Sequence, residues 1–239
     1  MKPFASPAVR VGLSIAVATG LYGISFGALA VAAGLSVWQA QALSLLMFTG
    51  GSQFAFIGVI AGGGAGSAAF TAATLLGVRN AVYGMQMNRM LGLRGGRRLL
   101  GAQLTIDESA ATASSQRDPA EQHRGFWTAG VGVFLLWNLF TAVGAIAGDA
   151  LGDPRRWGLD GAAVAAFLAL LWPRLRQRDA VAVAIVAALV TVLALPWVPA
   201  GIPIVLAAAV AAAWGALVPG PRDEGLEPDI APAPPEARR

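Results

Sequence analysis

The chain has 239 residues, 56% of them apolar and only 13% charged, with a net charge of +4 and a positive mean hydropathy. An ordinary soluble domain has roughly 25% charged residues. Seven apolar stretches, 12–33, 39–61, 66–88, 126–147, 158–172, 180–198 and 201–218, together contain only two charged side chains, Arg79 and Asp160. A hydrocarbon slab imposes such segregation, because an ionised side chain at its centre costs about 2.5–3.5 kcal/mol on insertion scales. The longest segments outside these stretches, 89–125 and 219–239, are shorter than the roughly 50 residues at which independent domains begin, which excludes a soluble catalytic domain. The absence of cysteine excludes disulfides, thiolate nucleophiles and cysteine-ligated metals.

In chain order, Lys2 and Arg10 precede an apolar stretch too long and too glycine-rich for a signal-peptide h-region, so 12–33 reads as a retained first span. Gly23 and Gly27 within it have the GxxxG spacing of close helix packing. Gly23-Ile24-Ser25-Phe26-Gly27 also matches the GxSxG of serine hydrolases, but the lone histidine, His123, lies in a charged loop, which opposes nucleophilic catalysis. The second stretch contains Thr49-Gly50-Gly51-Ser52-Gln53 at its middle. Adjacent glycines and backbone-competing side chains there fit either a helix break, of the kind transporters use to expose backbone groups at mid-membrane, or a close helix crossing. Gly62-Gly63-Gly64 reads as the following turn.

The third stretch carries Arg79, too deep to snorkel easily, with Asn80 beside it and Tyr83 and Gln86 at i+4 and i+7 on the same helix face. The functional reading is capture of an anionic group such as a substrate carboxylate by the guanidinium, and the alternative is a structural salt bridge. Segment 99–115 is the least hydrophobic that can be fitted to a span. If it enters the membrane, Asp107 and Glu108 are a proton relay or the counter-ion to Arg79; if not, they are solvated loop charges. Asn138, mid-span beside Trp137, suits an interhelical hydrogen bond.

Stretch 158–172 is short for a span, with Trp157 and Trp172 at its ends as interface anchors. The arginines sit in short loops beside spans, so the basicity reads as topology rather than affinity for nucleic acid. The clusters Arg94-Gly-Gly-Arg97-Arg98 and Arg174-Leu-Arg176-Gln-Arg178 should both face the cytoplasm. Three crossings before the first cluster then put the N-terminus outside, against Lys2 and Arg10, so either that weaker signal loses or one assigned crossing is wrong. The proline-rich residues 219–239 read as a disordered tail after a single transport domain over 1–218.

Four blocks in this order resemble the AzlC-type large subunit of branched-chain amino acid exporters. They are Tyr22-Gly23-Ile24-Ser25-Phe26-Gly27 with Gly34-Leu35-Ser36, then Phe48-Thr49-Gly50-Gly51-Ser52-Gln53-Phe54-Ala55, then Arg79-Asn80-Ala81-Val82-Tyr83-Gly84, then Leu104-Thr105-Ile106-Asp107-Glu108. They cover the chain to about residue 110. Where the family usually has an Arg-His pair, this chain has Arg79-Asn80. The resemblance implies a multi-span subunit of the bacterial inner membrane that works with a small AzlD-type membrane subunit to export leucine, isoleucine, valine and methionine. It places the substrate-binding role on Arg79, Asn80, Tyr83, Gly50, Gly51, Ser52 and Gln53. Arg79 would take the carboxylate and broken-helix carbonyls near Gly50 and Gly51 the ammonium, with Asp107 and Glu108 as proton-coupling or counter-ion groups.

The expected fold is thus an all-α polytopic membrane bundle of seven spans, or eight if 99–115 crosses, with discontinuous helices. It needs no cofactor and no metal, and it is not an enzyme. No G-x-x-x-x-G-K-[ST] loop is present for ATP hydrolysis.

Overall fold

The computed structural model describes residues 6–150, 178–198 and 202–217, with a few isolated positions between 168 and 175. The described residues are helical, without strands: α1 (Pro7–Ala32), α2 (Val37–Leu46), α3 (Gly50–Ala61), α4 (Gly66–Leu91), α5 (Gly95–Gln103), α6 (Asp107–Ser114), α7 (Pro119–Ala150), α8 (Arg178–Ala194) and α9 (Ile202–Leu217). Among them α1 and α7 are long and apolar enough to cross a membrane. Most of the expected short span 158–172 and the whole tail 219–239 lie outside the described residues.

Helices α1 and α7 form the spine. Ser6 caps α1 by accepting from the Val9 amide, and Pro7 supplies a preset first helical residue. The seam pairs Gly12 with Ala129, Gly20 with Leu136, Gly27 with Thr141 and Ala145, and Ala28 with Gly148. Both numbers rise together, so the helices run parallel. A β-carbon on Gly23 would lie 2.8 Å from the Trp137 carbonyl oxygen, and one on Gly27 or Gly144 would overlap the backbone of the partner helix. The glycines permit this approach, as the GxxxG spacing predicts, and their partners on α7 include glycines too.

The stretch 39–61 is not the single membrane-crossing helix expected from its length. It breaks at Met47–Thr49, and its halves fold back on one another. In a straight helix residues 43 and 53 stand about 15 Å apart; here the Gln53 amide donates to the Leu43 carbonyl at 3.1 Å. Gln39 and Ala42 near the start of α2 line a cavity with Phe56 and Ile60 near the end of α3, and Gly34 and Phe70 close the same end. A V-shaped hairpin results, its tip at the waist of the bundle. Ser36 and Gln39 form a reciprocal capping box that starts α2.

Segment 99–115 is likewise not a span. The α5 and α6 helices make a second hairpin, tied at its tip by Ser109, whose hydroxyl donates to the Leu104 carbonyl at 2.6 Å and accepts from the Ile106 amide. It enters from the opposite end of the bundle: Gly101 lies against Phe126 near the start of α7, whereas Leu104 and Ser109 reach Gly130. The tips meet where Gln103 donates to the Leu45 carbonyl at 2.9 Å. Between them α4 runs antiparallel to α3, with Gly77 opposite Ser52 and Arg79 opposite Gly51.

Because neither hairpin crosses the bundle, α1 and α7 start at the same end. There Ser6 hydrogen-bonds Glu121. The same end carries Arg10, Arg89, Arg94, Arg97, Arg98, Arg117 and Arg124, so every arginine of residues 6–150 except Arg79 is gathered there. The stretch 39–61, expected as one span, is thus a hairpin of two short helices. The α8 and α9 helices form a separate pair, Thr191 donating to the Pro203 carbonyl, with α9 touching α4.

Candidate functional site

The tips of both hairpins and the middle of α4 converge. Gly50 and Gly51 are the first residues of α3, and Thr49 before them makes no side-chain cap. The first amides of α3 therefore project from the break without the usual hydroxyl or carboxylate acceptor. This changes the chemistry expected near Gly50 and Gly51: they present N–H donors, which suit an anion, and not the carbonyls that would suit an ammonium.

Arg79 fills the space beside them. A β-carbon on Gly51 would sit 2.7 Å from one guanidinium nitrogen and 3.2 Å from the other, so glycine is what lets the guanidinium lie on the start of α3. Its other neighbour is Asp107, the first residue of α6, at 3.1 Å. A carboxylate at a helix N-terminus is stabilised by the macrodipole, whereas a guanidinium at one is opposed by it. Asp107 is thus well placed by its own helix, and Arg79 is held at the α3 end by Asp107. Glu108 follows, half-buried and close enough to interact electrostatically with both. The pair stays partly open, Arg79 being 28% and Asp107 34% exposed.

Several buried polar atoms here lack partners: Arg79 Nε, one Asp107 oxygen, Ser52 Oγ and Asn80 Oδ1. Such atoms are costly unless something hydrogen-bonds them. Seven residues beyond Arg79, Gln86 donates to Ser114, seven beyond Asp107, so α4 and α6 lie in parallel register. Tyr83, between them, packs half-buried against the core.

Gln53 takes a different place from its neighbours. It is fully buried, accepts from the Trp137 indole at 3.0 Å and donates to Leu43, so it ties both arms of the first hairpin to α7. Trp137 stacks on Phe26, and Tyr22 and Phe54 complete an aromatic cluster under the break. Asn138 makes the expected interhelical bond, accepting from Gln41 at 3.3 Å. The bridge from Gln103 to Leu45 has a faint sequence signal, an amide in a run, 99–106, whose other polar side chain is Thr105.

The assembled site offers a cation and backbone donors facing a carboxylate pair, with no group of three or more metal-ligating side chains among the described residues. It can hold a small molecule that carries both charges. No curated protein and no solved structure shows a significant match to the chain. The model of one family, described as AzlC protein, matches residues 14–151. That match spans more than half of the chain and the whole of this site, and the chain belongs to the AzlC family, a transporter-associated family linked to branched-chain amino acids.

Proposed function

We propose that the chain is the main subunit of a secondary exporter of hydrophobic neutral amino acids, leucine, isoleucine, valine and methionine, in the bacterial inner membrane. It works with a small AzlD-type membrane subunit and is driven by the proton gradient. The observation that carries this reading is the Arg79–Asp107 pair at the junction of two half-helices. Discontinuous helices that meet at mid-membrane are a recurring way to hold substrate and coupling ion.

A neutral amino acid is a zwitterion and matches the pair end for end. Arg79, with the amides of Gly50, Gly51 and Ser52, takes the carboxylate, and Asp107 takes the ammonium in place of Arg79. Glu108 beside them accepts and releases the coupled proton. Asn80 and Tyr83 flank the guanidinium on α4, and Gln53 holds the hairpin that presents the amides. The arginine-rich end faces the cytoplasm by the positive-inside rule, which places the N-terminus inside. The first hairpin then enters from outside and the second from the cytoplasm. In this reading the protein is multi-pass, with α1 and α7, each long and apolar enough to cross, among its spans, and its path alternates around the fixed pair.

The test is efflux from peptide-loaded cells that coexpress the small subunit, at matched expression of wild type and Arg79→Gln. Wild type should export the branched-chain set and methionine but not an anionic control. Arg79→Gln should lower efflux at least tenfold while still assembling with the partner, as expected from loss of a charge-assisted bidentate contact worth more than about 1.4 kcal/mol. Efflux that survives the substitution removes Arg79 as carboxylate ligand. A paired wild type that moves none of these amino acids removes the substrate class.

A further inference from the structure

Where α4 meets the second hairpin, at the arginine-rich end of the bundle, a cleft of about 270 Å3 separates the two. Ala81, Gly84 and Asn88 of α4 border it on one side, and Arg98 and Ala102 of α5, with Thr105 just past its end, border it on the other. Each set recurs every three or four residues, so one face of each helix turns to the cleft. The lining is graded. Asn88 and Arg98 stand toward the arginine-rich end, and Ala81 and Thr105 lie about 10 Å deeper, seven residues along their helices. Met87 and Phe126 add apolar wall, and the hydroxyl at depth, that of Thr105, already donates to the Gly101 carbonyl. At the middle, a β-carbon on Gly84 would meet nothing within 4 Å. The cleft thus has a cationic rim and an apolar floor, which is the pattern an anionic amphiphile fits.

The charge at the rim is uncompensated. Arg98 is the one charged residue that lines the cleft, it is exposed, and it has no carboxylate partner among the described residues, where the ion pairs are Arg79–Asp107 and Arg124–Glu121. Arg94 and Arg97 precede it closely. Among residues 6–150 this end sets seven arginines against two carboxylates, Asp118 and Glu121, and Glu121 is already engaged by Arg124 and Ser6. Directly after Arg98, Leu99 and Leu100 are 76% and 60% exposed, so α5 passes at this point from the level of lipid headgroups to that of acyl chains.

We propose that the cleft binds one anionic phospholipid of the surrounding leaflet, its phosphate paired with Arg98 and part of an acyl chain laid between α4 and α5. Basic pockets between membrane helices at the cytoplasmic side suit such headgroups, and a guanidinium pairs with phosphate through charge-assisted hydrogen bonds. With no carboxylate in its lining, the cleft has nothing for the ammonium of an amino acid, so it is not a second substrate site. Its position gives the lipid a consequence. Ala81 is two residues from Arg79, and Thr105 is two from Asp107, so a chain in the cleft braces the two elements whose approach forms that pair. The proposal rests on the membrane placement of the reading above and not on its substrate.

The test uses the full chain purified in detergent, with retained lipid read by native mass spectrometry and the thermal midpoint read in parallel. Phosphatidylglycerol should be retained about fivefold better than phosphatidylcholine, as expected for one arginine–phosphate contact near the membrane surface. It should also raise the midpoint, because a ligand that binds only the folded state stabilises it. Inorganic phosphate at the same concentration should neither raise the midpoint nor displace the lipid. Arg98→Gln should lose that fivefold preference and Arg98→Lys keep most of it, whereas Arg117→Gln, the same change of charge at the same end but outside the cleft, should bind like wild type. Gly84→Leu puts a side chain into the cleft and should lower retention to a similar degree. Its lipid-free midpoint should stay or rise, because leucine is the better helix former. Equal losses in Arg98→Gln and Arg117→Gln would mean a diffuse surface attraction, and full retention in Gly84→Leu or displacement by phosphate would mean that only the anion is held. Equal retention of the two lipids would remove the charge selectivity, and a Gly84→Leu protein that melts early or fails to fold would mean that the cleft is closed. Each of these results overturns the proposal. None of the measurements involves transport, so a lipid site found in a protein that exports no amino acid overturns the substrate class alone.

Discussion

The α1–α7 seam and one side of α4 both carry glycines, in opposite surroundings. Along the seam most glycines lie against the backbone of the facing helix, so the absence of a side chain brings two long helices together. On α4, Gly77 and Gly84 face cavities, and the absence of a side chain keeps space empty. Gly51 belongs to a third kind, in which the space a β-carbon would fill is taken by another side chain, the Arg79 guanidinium. A glycine's role is therefore read from what its β-carbon would meet, and one substitution, glycine to alanine, separates the three.

The largest effect is expected at the seam. In Gly27→Ala and Gly144→Ala the new methyl group would overlap backbone atoms that cannot rotate away, Thr141 and Ala145 in one case and Ile24 in the other. Overpacking typically costs about 1–3 kcal/mol and occasionally more, and a clash with backbone belongs to the upper part of that range. Both variants should show sharply reduced yield of folded protein and a lowered midpoint by size-exclusion and thermal melting in detergent. Melting curves like wild type would mean that the helices stand further apart than the structure places them.

The two regions also differ in how far the sequence exposed them. Gly23 and Gly27 pointed to a close packing face through their spacing, and Thr49-Gly50-Gly51-Ser52-Gln53 to either a helix break or a close crossing, because both signals are local. The direction of the chain after the break is not local. A straight continuation and a reversal contain the same residues, and the reversal is set by Gln53 reaching Leu43 and Trp137, the latter 84 positions away. Hydropathy alone therefore counted 39–61 as a crossing, and the contrary indication was the charge of Lys2 and Arg10 at the N-terminus. At the site, Arg79 was conspicuous as a charge within an apolar stretch, whereas its partner stayed ambiguous because nothing near Asp107 in sequence tells a solvated loop from a hairpin tip. The cavities beside Gly77 and Gly84 had no sequence signal, since a helix glycine looks the same whether it packs or leaves room.

Gly51→Ala should give an intermediate result. The added methyl meets the far end of a flexible arginine, so the fold accommodates it by moving the guanidinium off the start of α3. The midpoint should change by no more than a few degrees, while leucine efflux falls about tenfold, a change in transition-state or binding energy near 1.4 kcal/mol. Normal efflux would separate Gly51 from the site, and a collapse of stability would class it with the seam.

The smallest effect lies at the arginine-rich end of the seam, in the polar turn ahead of the apolar part of α7. There the Ser6 hydroxyl donates to Glu121, and Arg124 also pairs with it. These contacts, the Ser6 hydrogen bond foremost, hold the Glu121 carboxyl below its ordinary range. A carboxyl with a lowered folded-state pKa adds stability that is fully present above its unfolded value, about 4.3, and is lost as pH falls through the lower folded value. Glu121→Gln should therefore lower the midpoint slightly at neutral pH, by a constant amount down to about pH 5, and the gap to wild type should close under more acid conditions. Exposure and salt screening keep the difference small, and raising the ionic strength should trim the share carried by Arg124 while sparing the share carried by Ser6. If the gap persists unchanged at acid pH, the carboxylate charge is not what joins the start of α1 to α7. The seam's end would then rest on the Ser6 hydroxyl and the glycine packing below it.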